Sequence, residues 1–262
     1  MKRTILGIAT IAALGMTLPS FAADYNEVPE LRPAYEAGWE RQEDDVRFEF
    51  GAAYWYSWGA QNVAPTSGGP ASFVERDNTS IADVHGRIDD IYTNTYLLGR
   101  AGIGLSSSGT YTLAPGVDSN FGQRSVIGYA GVDYGWLPAG SMREGVAFGG
   151  LVGYHYWKEN PDTPSVATDM DIHALRLGLR AVGTFEKFDL QSEVAAIPYA
   201  FVAGSQTNRA YGVMTETTVG FRPTENISAR IGGRAWYLDN TDGTTSANLF
   251  RYGLMAELTG RF

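Results

Sequence analysis

The sequence predicts an all-β protein, a ten-stranded antiparallel transmembrane β-barrel of the outer-membrane type. Three observations lead there: a period of two after Asp45, connections that alternate short and long, and an N-terminus built like a secretory leader. Composition narrows the chemistry further. The chain has 262 residues, 44% hydrophobic and 13% aromatic, with 32 Gly, no Cys and a formal net charge of −9. Setting aside residues 1–22, which carry Lys2 and Arg3 and no acid, leaves 240 residues at −11. So acidic a chain does not suit nucleic acid, whose phosphates need a basic face. Without Cys there is no disulfide framework, thiolate metal site or Cys nucleophile. Three His (His85, His155, His173) make a His-rich metal centre a poor fit, and no cofactor is expected.

Residues 1–22 read as a cleaved signal peptide: a basic start, an apolar run, then Ser20 and Ala22 before the expected cut. The apolar run is too short for a stable membrane helix, and none of sufficient length follows. Residues 23–44 hold Glu27, Glu30, Glu36, Glu40 and Glu43 with Pro29 and Pro33, the composition of a periplasmic N-terminal arm without a packed core. Residues 45–262 form the barrel domain.

Strands are expected at about 46–58, 80–89, 95–105, 125–137, 145–157, 170–184, 188–203, 211–222, 227–238 and 250–262. In the first, Val46, Phe48, Phe50, Ala52, Tyr54, Tyr56 and Trp58 share one face, opposite Arg47, Glu49, Gly51, Ala53, Trp55 and Ser57. In the last, even positions from Phe250 to Phe262 are apolar or Gly, while Arg251, Glu257, Thr259 and Arg261 fall on odd ones. A strand sorts these side chains onto two faces; a helix would scatter them. Short links at 90–94, 138–144, 185–187 and 223–226 alternate with long polar ones at 59–79, 106–124, 158–169, 204–210 and 239–247. Outer-membrane barrels show this asymmetry between periplasmic turns and external loops.

Aromatic residues gather near the strand ends. Tyr54, Tyr56, Trp58, Tyr154, Tyr156, Trp236 and Tyr237 lie toward the long loops, and Tyr134, Trp136, Phe188, Phe221 and Phe262 toward the turns, as two interfacial girdles would. A soluble sandwich or lipocalin-like barrel shares the alternation but turns its apolar face inward. Strand length, leader and loop asymmetry favour the membrane.

If the apolar face meets lipid, the other lines the lumen. Parity places there Arg47, Arg87, Arg100, Arg176, Arg180, Arg230, Arg234, Arg251 and Arg261, facing Glu49, Asp83, Asp133, Asp189, Glu193, Glu216 and Glu257. Arginine forks pair bidentately with carboxylates and form networks. Narrow barrels are filled by side chains, so the expectation is a lumen crossed by ion pairs, with at most a narrow gated pore.

The segment Gly149-Gly150-Leu151-Val152-Gly153-Tyr154-His155-Tyr156, and the strands across Leu175–Glu193 joined at Phe185-Glu186-Lys187, resemble the omptins, outer-membrane aspartyl-type proteases with ten-stranded barrels. The resemblance implies an Asp–His pair facing an Asp–Asp pair above the membrane, with Asp-x-His just beyond the seventh strand. That place reads Gly204-Ser-Gln-Thr-Asn208-Arg209, without either residue. Asp171-Ile172-His173 has the spacing but begins the sixth strand, where parity turns both side chains toward lipid or the rim. The aspartate pair is matched only by a lone Asp118. Catalysis needs its acid and base within hydrogen-bond reach, so no catalytic residue is assigned.

The expected role is a non-enzymatic surface barrel of a Gram-negative outer membrane, its loops contacting lipopolysaccharide or external ligands. A narrow porin-like channel and an omptin-like protease are the alternatives. The expected partners are outer-membrane lipid, lipopolysaccharide and the outer-membrane assembly machinery, whose recognition signal the terminal aromatic Phe262 resembles.

Overall fold

The computed structural model describes residues 46–262 apart from 69–70, 72, 114–116, 123–125, 161–169, 204–208 and 242–244. The leader and arm expected at residues 1–44, and the place of the omptin Asp-x-His at 204–208, lie outside the described residues.

Eleven strand segments follow one another: β1 (Val46–Pro65), β2 (Phe73–Asp90), β3 (Thr95–Leu113), β4 (Val117–Gly122), β5 (Val126–Gly140), β6 (Gly145–Asn160), β7 (Met170–Thr184), β8 (Phe188–Ala203), β9 (Ala210–Thr224), β10 (Ile227–Thr241) and β11 (Thr245–Arg261). Each pairs antiparallel with its neighbours, and β11 returns to β1 from Glu49↔Arg261 to Pro65↔Thr245. The sheet is therefore closed. Segments β4 and β5 share one edge of β3, β4 along Leu113–Ser108 and β5 along Ile103–Thr95. They form one wall strand in two pieces, so eleven segments make a ten-stranded barrel. Closure satisfies the backbone groups from within, which hydrocarbon demands.

The faces divide as lipid requires. Phe50 is 60% exposed and Leu254 67%, and the outward row continues through Phe48, Val84, Leu97, Ile103, Val132, Leu177, Val219, Ile231 and Leu258. An apolar belt this continuous is untenable in water and suits a bilayer. Tyr54, Tyr56, Tyr154, Tyr134, Trp136, Phe188, Phe221 and Phe262 face outward near the belt's margins. Trp236 corrects the expected girdle: it is buried in the lumen. Nearness to a strand end suggests a girdle, but its even position on β10 shares the parity of the inward Arg230 and Arg234.

The long loops also need correction. Strand β1 runs to Pro65 and β2 begins at Phe73, so most of 59–79 is sheet, and β3 continues through the expected loop to Leu113. About ten tilted residues cross the hydrocarbon; the remainder of these strands of 18–20 residues stands in water on the outer side. Their outward residues there, Asn62, Arg76 and Asn78, are polar and exposed. Alternation of polar with polar residues hides such strands from a hydropathy reading.

The opposite end is closed tightly. Asp90 accepts hydrogen bonds from the backbone N–H of Tyr92 and Thr93, both at 3.1 Å, an Asx turn that ends at Asn94 with φ 53°. Asn94 then donates to Gly140 O and accepts from Met142 N–H, drawing the β5–β6 turn inward until Met142 is fully buried. Gly140 permits the turn: its φ is 84°, and a Cβ there would strike Val146 O.

The terminal residue completes the wall. Phe262 and Phe48 exchange two backbone hydrogen bonds of 2.9 Å, and the Phe262 ring is exposed on the lipid side. Deleting Phe262 removes a closing pair and the exposed aromatic end together. The expected outcome is a marked fall in the heat-modifiable, membrane-inserted fraction in cells; unchanged insertion would show the residue to be dispensable for assembly.

Candidate functional site

The lumen is stacked in layers, beginning at the periplasmic end with a small apolar cap. Met142 packs there with Tyr96, Leu98, Leu137, Ala147, Leu151, Val182 and Ala195.

The ion network begins beside this cluster, with Asp89 and Arg87 opposite Tyr96 and Leu98 in the β2–β3 register, and continues above it. Arg230 donates to Glu49 Oε1 and Oε2 (both 3.0 Å), to Glu257 Oε1 (2.6 Å) and to Asp189 Oδ1 (2.9 Å) and Oδ2 (3.4 Å). Arg261 reaches the same Glu49 at 2.8 Å and Asp189 at 3.3 Å. Beside them Asp89 takes Arg47 at 2.7 Å and Arg87 at 2.5 Å. Further up, Arg176 and Arg180 hold the two oxygens of Glu193 at 2.6 and 3.0 Å, and Arg176 also lies 3.5 Å from Asp133 and 2.8 Å from His155 Nε2. Across the lumen Arg100 and Arg234 share Glu216 at 2.8 and 2.6 Å, while Arg234 reaches Asp83 at 3.3 Å. Tyr129 donates to the same Asp83.

Neighbouring strands make room for these side chains. A Cβ at Gly102 would collide with the Tyr129 ring, and one at Gly135 with the Tyr96 ring. The network thus joins eight arginines (47, 87, 100, 176, 180, 230, 234, 261) to eight carboxylates (49, 83, 89, 133, 189, 193, 216, 257). It is neutral in itself with its histidines uncharged.

Glu49, His85 and Glu257 bring metal-ligating atoms within 4.8 Å of one another. Arg230 Nη1 already donates to Oε1 of both carboxylates, so a dication there would stand against a guanidinium. A void of about 20 Å³ adjoins this group, room for one water.

Above the ions comes a second apolar layer. Trp157 sits at its centre, stacked on Tyr129 at 4.9 Å and edge-on to Trp236 at 4.4 Å and Trp55 at 6.2 Å. Ile81, Ile127, Ile172, Ile197, Val202, Met214, Leu238 and Leu249 surround the rings. Arg234 joins the layers, its guanidinium 5.1 Å from the Trp55 ring and 5.5 Å from Tyr129. Charges packed beneath this layer are largely shielded from water, so each depends on its partners more than on solvent.

The mouth carries a separate cluster. Arg251 grips Asp77 through both oxygens, at 2.9 and 3.1 Å, and reaches Glu159 at 3.0 Å. Trp157 Nε1 donates to Glu159 at 3.1 Å and Thr79 Oγ1 to Asp77 at 2.5 Å. Glu75 lies beside them, 6% exposed. Burial first, then the charges of Glu159 and Asp77, push its carboxyl from 4.5 up to about 8. Burial likewise raises Glu159, against the pull of Arg251.

Because Glu75 holds its proton more tightly folded than unfolded, its contribution is complete below the unfolded value and lost as pH rises through about 8. The unfolding midpoint of wild type relative to Glu75→Gln should therefore fall across that window. A pH-independent difference would show that Glu75 does not titrate there.

Of the residues assigned to the lumen by parity, Arg251 belongs to the mouth and the others to the central network. Sequence reasoning missed Asp89, which parity alone would have found, and Glu75, Asp77 and Glu159, which fell in segments read as loops. It also missed the aromatic layer. Asp171 and His173 face outward: Tyr156 donates to Asp171 at 2.8 Å, Lys158 lies 3.6 Å from the same carboxylate, and Tyr154 Oη lies 2.6 Å from His173 Nδ1. His85 and His155 line the lumen beside Glu49 and Asp133. The side chain of Asp118 lies outside the description.

Fold and lumen together define a ten-stranded transmembrane barrel of the outer-membrane type. No protein-family profile matches the chain, and no curated protein matches it in sequence. Among solved structures it is similar to the outer membrane protease OmpT from Escherichia coli, with a TM-score of 0.56 and 10% identity over 84% of this chain and 97% of that one. At that identity the likeness shows a shared fold. The β domain of the Bordetella autotransporter BrkA (TM-score 0.39, 12% identity, 80% and 99% covered) and the translocator domain of the autotransporter NalP from Neisseria meningitidis (0.34, 11%, 79% and 87%) superpose too loosely to carry an argument.

Proposed function

We propose that this protein is a non-enzymatic surface barrel of the Gram-negative outer membrane, closed to solutes, that works through its external face. The observation that carries this reading is the filled lumen: a neutral ion network packed beside one apolar cluster and beneath a second. A pore needs a continuous wet path, and charged rings select ions only where ions can pass. The strand extensions above the belt, with the loops that join them, form the surface offered to the outside. Lipopolysaccharide is the partner proposed for the outer-leaflet belt and these loops.

Planar-bilayer conductance of the refolded protein tests the reading, beside the double variant Arg176→Ala/Arg180→Ala. Wild type should be silent, and the variant should leak once Glu193 is left with Arg100 at 4.0 Å and Asp133 with His155 at 3.2 Å, and water enters. Defined conductance steps from wild type would replace this reading with the narrow channel.

A further inference from the structure

We propose that His155 is an acid-operated latch on the lumen: neutral, it holds Arg176 in place, and charged, it expels Arg176 and admits water and small ions. The latch presupposes the closed lumen proposed above and concerns what opens it. His155 Nε2 stands 2.8 Å from Arg176 Nη1 and 3.2 Å from Asp133 Oδ2, and Arg176 Nη1 lies 3.5 Å from the same carboxylate oxygen. A guanidinium has only protons to offer, so at that distance the imidazole nitrogen must accept. The ring is then neutral, its proton on Nδ1, and one arginine nitrogen serves both Nε2 and Asp133. A second proton turns Nε2 into a donor. It is already placed to donate to Asp133, but two N–H groups, each on a cation, then confront each other where a hydrogen bond was. One of the two cations has to withdraw.

Arg176 is the one that yields. A Cβ at Gly131 would strike the His155 ring, so the ring lies against the β5 backbone and cannot retreat that way. The charged groups facing it are Asp133 from β5, Arg176 from β7 and Arg100 from β3, with Glu193 from β8 behind Arg176. A charged ring therefore adds a third cation beside Arg176 and Arg100. Glu193 offers no relief, because Arg176, Arg180 and Arg100 already share it at 2.6, 3.0 and 4.0 Å. Arg176 is fully buried and ties β7 to β5, β6 and β8. Its release loosens the ion network below Trp157, the next inward residue on β6. His85 lacks this geometry: its Nε2 faces Glu49 and Glu257 at 3.7 and 3.9 Å, so its charge would add attraction. Histidine is the side chain whose charge changes between neutral and mildly acid pH, which suits it to such a latch.

The test compares bilayer currents of the refolded protein at neutral pH and at about pH 4.5. Wild type should be silent at neutral pH and conduct in acid, with at least a roughly tenfold rise in mean current. His155→Gln puts an amide in the ring's place, able to accept from Arg176 and donate to Asp133 but unable to take a charge. It should fold and stay silent at both pH values. His155→Lys carries a fixed charge beside Arg176 and should conduct already at neutral pH. A wild type without acid current, an acid response retained in His155→Gln, or a folded and silent His155→Lys would each overturn the latch. Current from wild type at neutral pH would sink the closed lumen instead. The latch would then stand or fall on whether acid raises the current in wild type and not in His155→Gln.

Discussion

Replacing Arg230 by alanine is expected to cost about 3–5 kcal/mol of folding stability, the loss typical when one partner of a buried ion pair is removed. The substitution deletes five hydrogen bonds to three carboxylates. Among the described residues, Glu49 and Asp189 are then left to share the Arg261 guanidinium, and Glu257 keeps His85 at 3.9 Å. Water cannot readily replace the lost charge, because Arg230 is buried and the aromatic layer lies above. Urea unfolding of barrels refolded into vesicles measures the change. A loss under about 1 kcal/mol would put these pairs with solvated surface bridges, and the lumen would have to be wetter than the layers imply.

Trp157→Ala attacks the other seal. The indole fills the centre of the upper layer against Tyr129, Trp236 and Trp55, so truncation leaves a cavity where the rings meet. Large aromatic truncations in packed interiors cost about 3–5 kcal/mol. The substitution also removes one of the two donors to Glu159 Oε1, which Arg251 still holds at 3.0 Å, giving the new cavity a polar neighbour. We expect reduced stability together with small, irregular bilayer currents as water penetrates to the ion network. Lost stability without current would assign the barrier to the ion network alone.

These two variants also show how far the lumen could be read from the chain. The arginines and carboxylates of the central network stand at alternate positions in strands whose other face is strongly apolar, so parity alone lines them up inward. Trp157 obeys the same parity on β6, between His155 and Glu159, yet an inward tryptophan looks unremarkable in sequence because girdles also want tryptophan. Trp236 was misplaced for that reason. Burying aromatic rings in a lumen runs against a simple rule of apolar outside and polar inside, and only the mutual contacts of four strands show that the rings seal one another.

The mouth was harder still. Glu75, Asp77 and Glu159 sit in stretches where polar residues alternate with polar ones, so no hydropathy contrast marks a strand. Long-range pairing supplies what local pattern lacks: β2 is held as sheet above the membrane because β1 and β3 flank it there. Arg251 is buried on the inner face, and its partners come from strands 92 and 174 residues away.

By itself, then, the sequence determined the fold class, the outward apolar belt, the inward charged face and the periplasmic turns, because these follow from a period of two and from local turn chemistry. Which arginine meets which carboxylate, how high the walls rise, and where the lumen closes were decided only in the tertiary structure. Closing the barrel fixes a stagger between strands, and that stagger sets which residues share a level inside. A one-residue change in register would leave every strand recognisable, yet it would turn a whole strand inside out and redraw every pairing in the lumen.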